Sequence, residues 1–197
     1  MKRDAGGKKA ETHERIVRAA ARAIRERGYA GVSVADVMKD AGLTHGGFYA
    51  HFGSREAMLE EALDHAAAES LANLSRATAK AAPGQALEAF AASYLSDGHV
   101  EHPEVGCTIA ALGSETRLQP PEVRRVATQR VKEMADLLAR QMPRWGASET
   151  HGDALAVMST LVGALVIARM VDEPELSTAI RDAAAGFIRA GLAAREP

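Results

Sequence analysis

Residues 33–56 read SVADVMKDAGLTHGGFYAHFGSRE, and this stretch decides the fold. Four of its apolar residues have the i, i+3, i+4, i+7 spacing of one buried helical face: Val34, Val37, Met38 and Ala41. Gly42 can adopt the left-handed conformation that ends a helix, and Thr44 is placed to cap a second one. Two helices joined by a short turn form a helix-turn-helix motif. Because the second helix carries polar groups suited to a groove or a phosphate, DNA binding is the leading hypothesis.

The charge of the chain is unevenly distributed in a way that supports this hypothesis. The net charge is −2 over 197 residues. Residues 1–55 nevertheless carry 11 Lys and Arg against 6 Asp and Glu, whereas residues 56–197 carry 13 against 20. Such asymmetry indicates one end that faces nucleic acid and an acidic remainder that phosphate would repel.

The rest of the chain predicts helices and few strands. The composition is 47% hydrophobic and rich in Ala, and period-two alternation is rare. Besides the helix that begins after Thr44, apolar spacing and cap residues predict helices over residues 12–27, 33–41, 54–82, 85–96, 103–112, 121–142, 153–171 and 174–194. Residues 1–10 are expected to form a mobile arm. We therefore predict an all-α protein with a DNA-binding domain over 1–55 and a second domain over 56–197.

Several classes of protein are disfavoured by what the sequence contains. It has no run of 18 apolar residues and no signal-peptide pattern, so we expect no membrane association. The single Cys107 fits a reducing compartment, and the expected location is the cytoplasm. No catalytic motif is present, so we expect no enzyme and no cofactor. A compact set of potential metal ligands keeps a metal-dependent helical enzyme as an alternative, although such charged loops are usually solvated: Asp97, His99, Glu101, His102 and Glu104.

The last two predicted helices indicate self-association. Residues 155–171 are apolar nearly all the way round, which a single small domain has little room to bury. We predict that both helices form half of an intersubunit four-helix bundle. The alternative is the central core helix of a monomer. The expected interface residues are Leu155, Ser159, Val162, Gly163, Val166, Ile180, Ala184, Phe187, Ile188 and Gly191.

Residues 15–59 also resemble the TetR-type transcriptional regulators. The resemblance lies in Gly28-Tyr29, Ser33-Val34, Ala41-Gly42, Gly46, Phe48-Tyr49, His51-Phe52 and Glu56. It implies about nine helices and a homodimer that places its third helices in the major grooves of a palindromic DNA operator. It also implies a C-terminal domain that binds a small-molecule effector, and a repressor is the expected function. An architectural DNA-binding protein without an effector is the alternative.

The resemblance and the side-chain chemistry together nominate the residues that contact DNA. Thr44, Tyr49, His51 and Arg55 correspond to phosphate-contacting positions, and Ser33 could add a hydroxyl or an amide. His45 and Thr44 are the expected base readers, with Lys39 as a further candidate. The glycines at 46 and 47, and Ala35, remove base contacts, although both glycines allow the backbone to approach the DNA duplex closely, and Gly47 is counted among the DNA-binding residues. Direct readout should therefore be modest and supplemented by DNA shape.

The effector is expected to be an apolar or aromatic compound held between the middle helices. The candidate wall residues, each of which could also be plain core, are Phe90, Tyr94, Cys107, Ile109, Leu112, Met134, Leu138 and Trp145. Cys107 offers an alternative switch, because a thiol near a helix N-terminus can be a reactive sensor of electrophiles or oxidants. The competing interpretation is a small buried hydrophobic residue.

Overall fold

The computed structural model describes residues 3–82, 84–142, 146 and 149–193, with side chains from residue 6 to residue 191 within these ranges. The described residues form helices and no strand, which confirms the all-α prediction. The α-helices are α1 Arg3–Arg27, α2 Val34–Asp40, α3 Arg55–Ala79, α4 Ala86–Tyr94, α5 Asp97–Glu101, α6 Thr108–Thr116, α7 Pro121–Ala139, α8 Thr150–Met170 and α9 Pro174–Ala193. Two 3₁₀ helices cover His45–Ala50 and Pro103–Val105. The first of these is called the recognition helix below.

Three predicted boundaries were wrong. Helix α1 begins at Arg3, so the part of the expected arm that is described is helical. Gly6 and Gly7 do not stop it, because a glycine costs a helix only about 1 kcal/mol. The predicted loop after residue 96 contains α5, which Ser96 caps by accepting from the His99 amide at 3.3 Å. Helix α6 begins at Thr108 because a separate 3₁₀ turn takes up residues 103–105.

The chain packs as two compact units, and the first contains the helix-turn-helix. This unit comprises residues 1–69 together with 104–128. Its core combines apolar side chains of α1, α2, the recognition helix, α3 and α6, among them Ile16, Ile24, Val37, Met38, Phe48, Phe52, Leu59 and Leu112. Because Leu112 of α6 joins this core, the packing units do not coincide with the predicted domains 1–55 and 56–197.

The second unit comprises residues 70–103 and 129–197 and is built around α8. Its buried residues include Phe90 and Tyr94, whose rings stack at 6.2 Å, and Leu138. Among the described helices, α8 is long and apolar enough to cross a membrane by length and composition, with a mean hydropathy of 1.6 over its most apolar window. That is weak evidence, because core helices pass the same test. Only 39% of this window is buried within the chain.

Candidate nucleic-acid interface

The helix-turn-helix forms as the cap residues predict. Ser33 lies at the N-cap of α2, where its Oγ accepts from the Asp36 amide at 3.1 Å. Gly42 has a φ of +69°, and its amide donates to the Lys39 carbonyl at 2.9 Å. The Leu43 amide donates to the Met38 carbonyl at 2.8 Å, which closes the turn. These bonds set the tight reversal that leads into the recognition helix.

The recognition helix is a 3₁₀ helix whose buried side is aromatic. Phe48 and Phe52 are almost fully buried and stack at 5.5 Å, as expected of core residues. Thr44 is at the N-cap position, but its side chain makes no capping bond. The prediction that Thr44 caps this helix with its hydroxyl was therefore wrong. The exposed hydroxyl remains available to another partner.

The opposite side of the recognition helix is polar and exposed. His45 and Thr44 are exposed, and 72% of Tyr49 is accessible to solvent. Lys39 is exposed in the last turn of α2. Gly47 is half-buried, and a Cβ placed on it would lie 3.5 Å from the Met38 methyl carbon. That distance is ordinary van der Waals contact, so the recognition helix packs against α2 at this position without requiring a glycine.

His51 follows the recognition helix as its C-cap residue. It is half-buried, and its Nδ1 is buried without a hydrogen-bond partner in the described part of the chain. Burial lowers the pKa of His51, and the nearby His13 and Lys9 lower it further. These surroundings favour the neutral form of the imidazole.

Arg55 is engaged within the protein rather than left open to solvent. Its Nε and Nη2 donate to the Val32 carbonyl at 3.2 and 3.0 Å, and Nη2 also donates to the Tyr29 carbonyl. The guanidinium thus ties the start of α3 to the loop between α1 and α2. A positioning role explains this geometry, while contact with phosphate stays a prediction.

Two polar contacts that the sequence did not reveal attach α6 to the helix-turn-helix unit. The buried Arg25 donates to the carbonyls of Ala21, Ala66 and Gly106 and to the Glu69 carboxylate at 2.8 Å, the carbonyl contacts being 3.1–3.4 Å. The Tyr29 amide donates to Glu115 at 2.9 Å. Gly28 has a φ of +72°, and a Cβ there would lie 2.4 Å from the Glu115 carboxylate. Since these partners are up to 86 residues apart, no local pattern indicates them.

The predicted effector residues are divided between the two packing units. Cys107 is 3% exposed and Leu112 is fully buried in the first unit, where Ile109 is half-buried. Phe90, Tyr94, Met134 and Leu138 are buried in the second unit. Trp145 lies outside the described residues. The wall assignments stay predictions, and the burial of Cys107 favours its interpretation as a hydrophobic core residue over that of a reactive sensor.

Two cavities of the second unit are lined by other residues. One, of about 510 Å³, lies among α5, the end of α8 and the start of α9, and its lining includes Asp97, Arg169 and Arg181. The other, of about 150 Å³, is an apolar groove between α8 and α9 that includes Val157, Phe187 and Ile188. This apolar groove shares three α9 residues with the predicted dimer face, Phe187, Ile188 and Gly191, whereas its α8 residues lie outside that face.

The residues nominated for that face differ in exposure. Phe187 is 70% exposed and Leu155 38%, whereas Ile188 is buried between the helices. Ser159 and Gly191 are exposed, and the others are half-buried: Val162, Gly163, Val166, Ile180 and Ala184. Two further apolar side chains of α8 are exposed, Met170 at 77% and Ile167 at 49%. Large apolar side chains are thus left open along α8 and α9.

Two of the possible metal ligands at 97–104 bond to other groups of the protein. Asp97 pairs with Arg181 at 2.7 Å, and the His99 Nδ1 lies 2.6 Å from the Tyr94 carbonyl. Burial lowers the pKa of His99 to about 4. The described residues contain no group of three or more side chains placed to hold a metal ion.

Comparison with known proteins identifies the family. Residues 16–62 match the family of bacterial regulatory proteins named after TetR, and residues 83–184 match the C-terminal domain of LmrA/YxaF-like transcriptional regulators. A helix-turn-helix transcriptional regulator of Mycobacterium tuberculosis is 31% identical, over 80% of this chain and 84% of the relative. The regulator LmrA of Bacillus subtilis is 24% identical, over 79% and 82%.

A solved structure extends the similarity to nearly the whole chain. A TetR-family regulator from Cytophaga hutchinsonii superposes with a TM-score of 0.79 at 20% identity, covering 94% of this chain and 96% of that one. Its likeness concerns the fold alone. Together with the family matches over both parts of the sequence, it leads to one conclusion: the chain belongs to the TetR family of DNA-binding transcriptional regulators, with a C-terminal domain of the LmrA/YxaF-like type.

Proposed function

We propose that the protein is a homodimeric repressor that leaves a palindromic operator when a small apolar or aromatic molecule binds to it. The exposed apolar face of α8 and α9 is the observation that carries this proposal, because Phe187, Leu155 and Met170 need a covering partner. A second copy would supply the same face and make a two-fold interface. Two-fold symmetry in turn requires two related half-sites in the DNA. The protein would act in the cytoplasm.

In this proposal different residues of the helix-turn-helix contact the DNA backbone and the bases. Tyr49 and His51 bind phosphate, with the Thr44 hydroxyl and the Ser33 backbone amide as further donors to the DNA backbone, since the Ser33 hydroxyl donates to the Asp36 carboxylate. His45 and Thr44 read base edges, and Lys39 is the third candidate reader. The exposure of His45, Thr44 and Tyr49 supports these roles. Arg55 acts chiefly by holding the α1–α2 loop in place.

The effector acts by preferring one arrangement of the dimer. A ligand lowers operator affinity only if it binds the DNA-incompetent state more tightly than the competent one. Helix α6 is the proposed transmitter, because Tyr29 binds Glu115 on it and Arg25 binds Gly106 just before it, within the helix-turn-helix unit. A displacement of α6 would therefore move the end of α1 through these contacts.

Selection of bound duplexes from a random DNA pool tests the proposal. Enrichment of a palindrome, with two chains per duplex by light scattering, is the expected result. A single chain per duplex, or the absence of an enriched sequence together with steep salt dependence, would instead support an architectural DNA-binding protein.

A ligand screen tests the effector separately. Apolar and aromatic compounds that raise the melting temperature of the free protein should also weaken binding to the selected duplex. Stabilising compounds that leave duplex affinity unchanged would contradict the proposed release mechanism. Metal analysis of the purified protein addresses the enzymatic alternative.

A further inference from the structure

Three elements of the first unit meet beside the end of the recognition helix. His13 of α1 places its Nε2 2.6 Å from the Glu61 carboxylate of α3. The His13 ring stacks on Phe52, with centroids 4.5 Å apart and planes inclined by 24°. The centroid of the His51 ring lies 5.8 Å from that of the His13 ring. One imidazole therefore contacts both residues that directly follow the recognition helix.

These contacts hold the two residues that follow the recognition helix. Phe52 is buried and stacks on Phe48, so a shift of Phe52 would also shift the recognition helix. His51 has no hydrogen bond from its Nδ1 within the described residues, and its ring is therefore located by packing. His13 is the ring that packs against both of them. Glu61 in turn restrains His13 from the opposite helix.

We propose that His13 is a positioning residue for DNA binding, held by Glu61 so that His51 is presented to a DNA phosphate. The proposal rests on the proposed phosphate contact of His51. The charged and titratable groups concerned are Lys9 and His13 on α1 and, across His13, Glu61 on α3. His13 touches the protein rather than the DNA, and it acts through His51 and Phe52.

Glu61 provides a test in which two explanations predict opposite signs. Its carboxylate is about half exposed in a domain that binds polyanionic DNA. Simple electrostatics therefore predicts that removing this negative charge strengthens binding. If Glu61 positions His13, the same removal weakens binding, because the imidazole loses its restraint.

The matched pair is Glu61→Ala and Glu60→Ala. Glu60 is the preceding residue on α3, and among the described residues the ion pair of His13 is with Glu61, not with Glu60. On the duplex recovered by selection, Glu61→Ala should bind roughly fivefold more weakly than wild type, whereas Glu60→Ala should bind equally or slightly better. Circular dichroism and the melting temperature establish that both variants fold. Equal or tighter binding by Glu61→Ala would overturn the proposal.

A pH profile separates positioning from a general loss of structure. His13 and Lys9 contribute, after burial, to the lowered pKa of His51, whereas a phosphate would raise it. Binding should therefore take up a proton, and wild-type affinity should rise as the pH falls until it reaches a plateau. In His13→Gln the plateau should be reached at higher pH, because the free His51 is then easier to protonate. In Glu60→Ala it should not move.

The outcomes distinguish this inference from the proposed function. If wild type shows no preference for any duplex, the proposed function fails. If wild type binds but Glu61→Ala behaves like Glu60→Ala, and the His13→Gln profile superposes on that of wild type, then only the positioning role fails.

Discussion

At the scale of single residues, the recognition helix presents few side chains to the bases. Gly46 is exposed and carries no side chain, and Gly47 packs on α2. His45 and Thr44 remain as exposed polar groups at the start of this helix, and Tyr49 is exposed near its end. Sequence preference should therefore depend on very few contacts, while phosphate contacts supply most of the affinity.

His45→Ala and Tyr49→Phe should separate these two contributions. Loss of a base contact should reduce affinity for the selected duplex about tenfold and affinity for a scrambled duplex by less than twofold. Loss of the Tyr49 hydroxyl should weaken binding to both duplexes about fivefold, because one phosphate hydrogen bond is removed. Binding isotherms at fixed salt measure both effects. Equal losses on both duplexes for His45→Ala would remove its role as a base reader.

His99 should make stability depend on pH. Burial lowers its pKa from 6.5 to about 4, so between these values the unfolded chain binds a proton that the folded chain does not. Stability should therefore fall as the pH drops from 6.5 to about 4, by up to about 3 kcal/mol. Denaturant unfolding at several pH values measures this slope.

The control for His99 is a histidine on the protein surface. His99→Gln should flatten the acid slope, whereas His151→Gln should preserve it because His151 is exposed. An unchanged slope in His99→Gln would show that other groups cause the acid sensitivity.

At the scale of elements, the residues that cap or end the helices could be predicted from the sequence. That the recognition helix is a 3₁₀ helix could not. Ser33 accepts from Asp36, and Ser54 accepts from the Ala57 amide at 3.1 Å, as their positions indicate. Gly42 takes the predicted left-handed conformation, and Gly28, which ends α1, takes it as well. The hydroxyl of Thr44 does not cap, because the segment after it winds as a 3₁₀ helix around buried Phe48. Tertiary packing sets that winding, so sequence spacing alone did not reveal it.

Two glycines that follow helices can be compared, Gly28 after α1 and Gly42 after α2. Gly28 and Gly42 have φ values of +72° and +69°, so alanine at either position should cost about 1 kcal/mol. Only at Gly28 would the added Cβ also displace Glu115 and disturb its bond with the Tyr29 amide. Gly28→Ala should therefore lower the free energy of unfolding by about 2 kcal/mol, and Gly42→Ala by about half as much.

Chemical denaturation of both variants checks this difference. In a Glu115→Ala background, the extra cost at position 28 should disappear. If Gly28→Ala and Gly42→Ala are equally destabilised in the wild-type background, Glu115 does not constrain the turn.

At the scale of the whole molecule, apolar periodicity indicated the helices of the second unit and the face they leave open. It could not indicate that α6 joins the first unit, because Arg25 and Gly106 are 81 residues apart and their contact is a side chain bound to a carbonyl. Long-range polar contacts of this kind have no signature in local spacing. The candidate base readers could be nominated from the sequence, because they lie within one short segment.

Phe187→Glu should dissociate the proposed dimer. A carboxylate at the centre of the α8–α9 face would be buried without a partner, which should raise the dimer dissociation constant at least 100-fold. Leu118→Glu is the control, because Leu118 is 68% exposed, close to the 70% of Phe187, but lies outside α8 and α9. Sedimentation equilibrium of both variants measures the effect. A Phe187→Glu variant that sediments like Leu118→Glu would place the interface elsewhere.

The close approach of Glu115 to Gly28 also limits how this protein can diverge. A side chain at position 28 and a long carboxylate at position 115 compete for the same space, with 2.4 Å between the would-be Cβ and the nearest oxygen. A side chain at position 28 is therefore disfavoured as long as residue 115 keeps its long carboxylate. Among descendants of this chain, replacement of the glycine should follow shortening of residue 115, so that the order of the two changes is constrained as well as their identity.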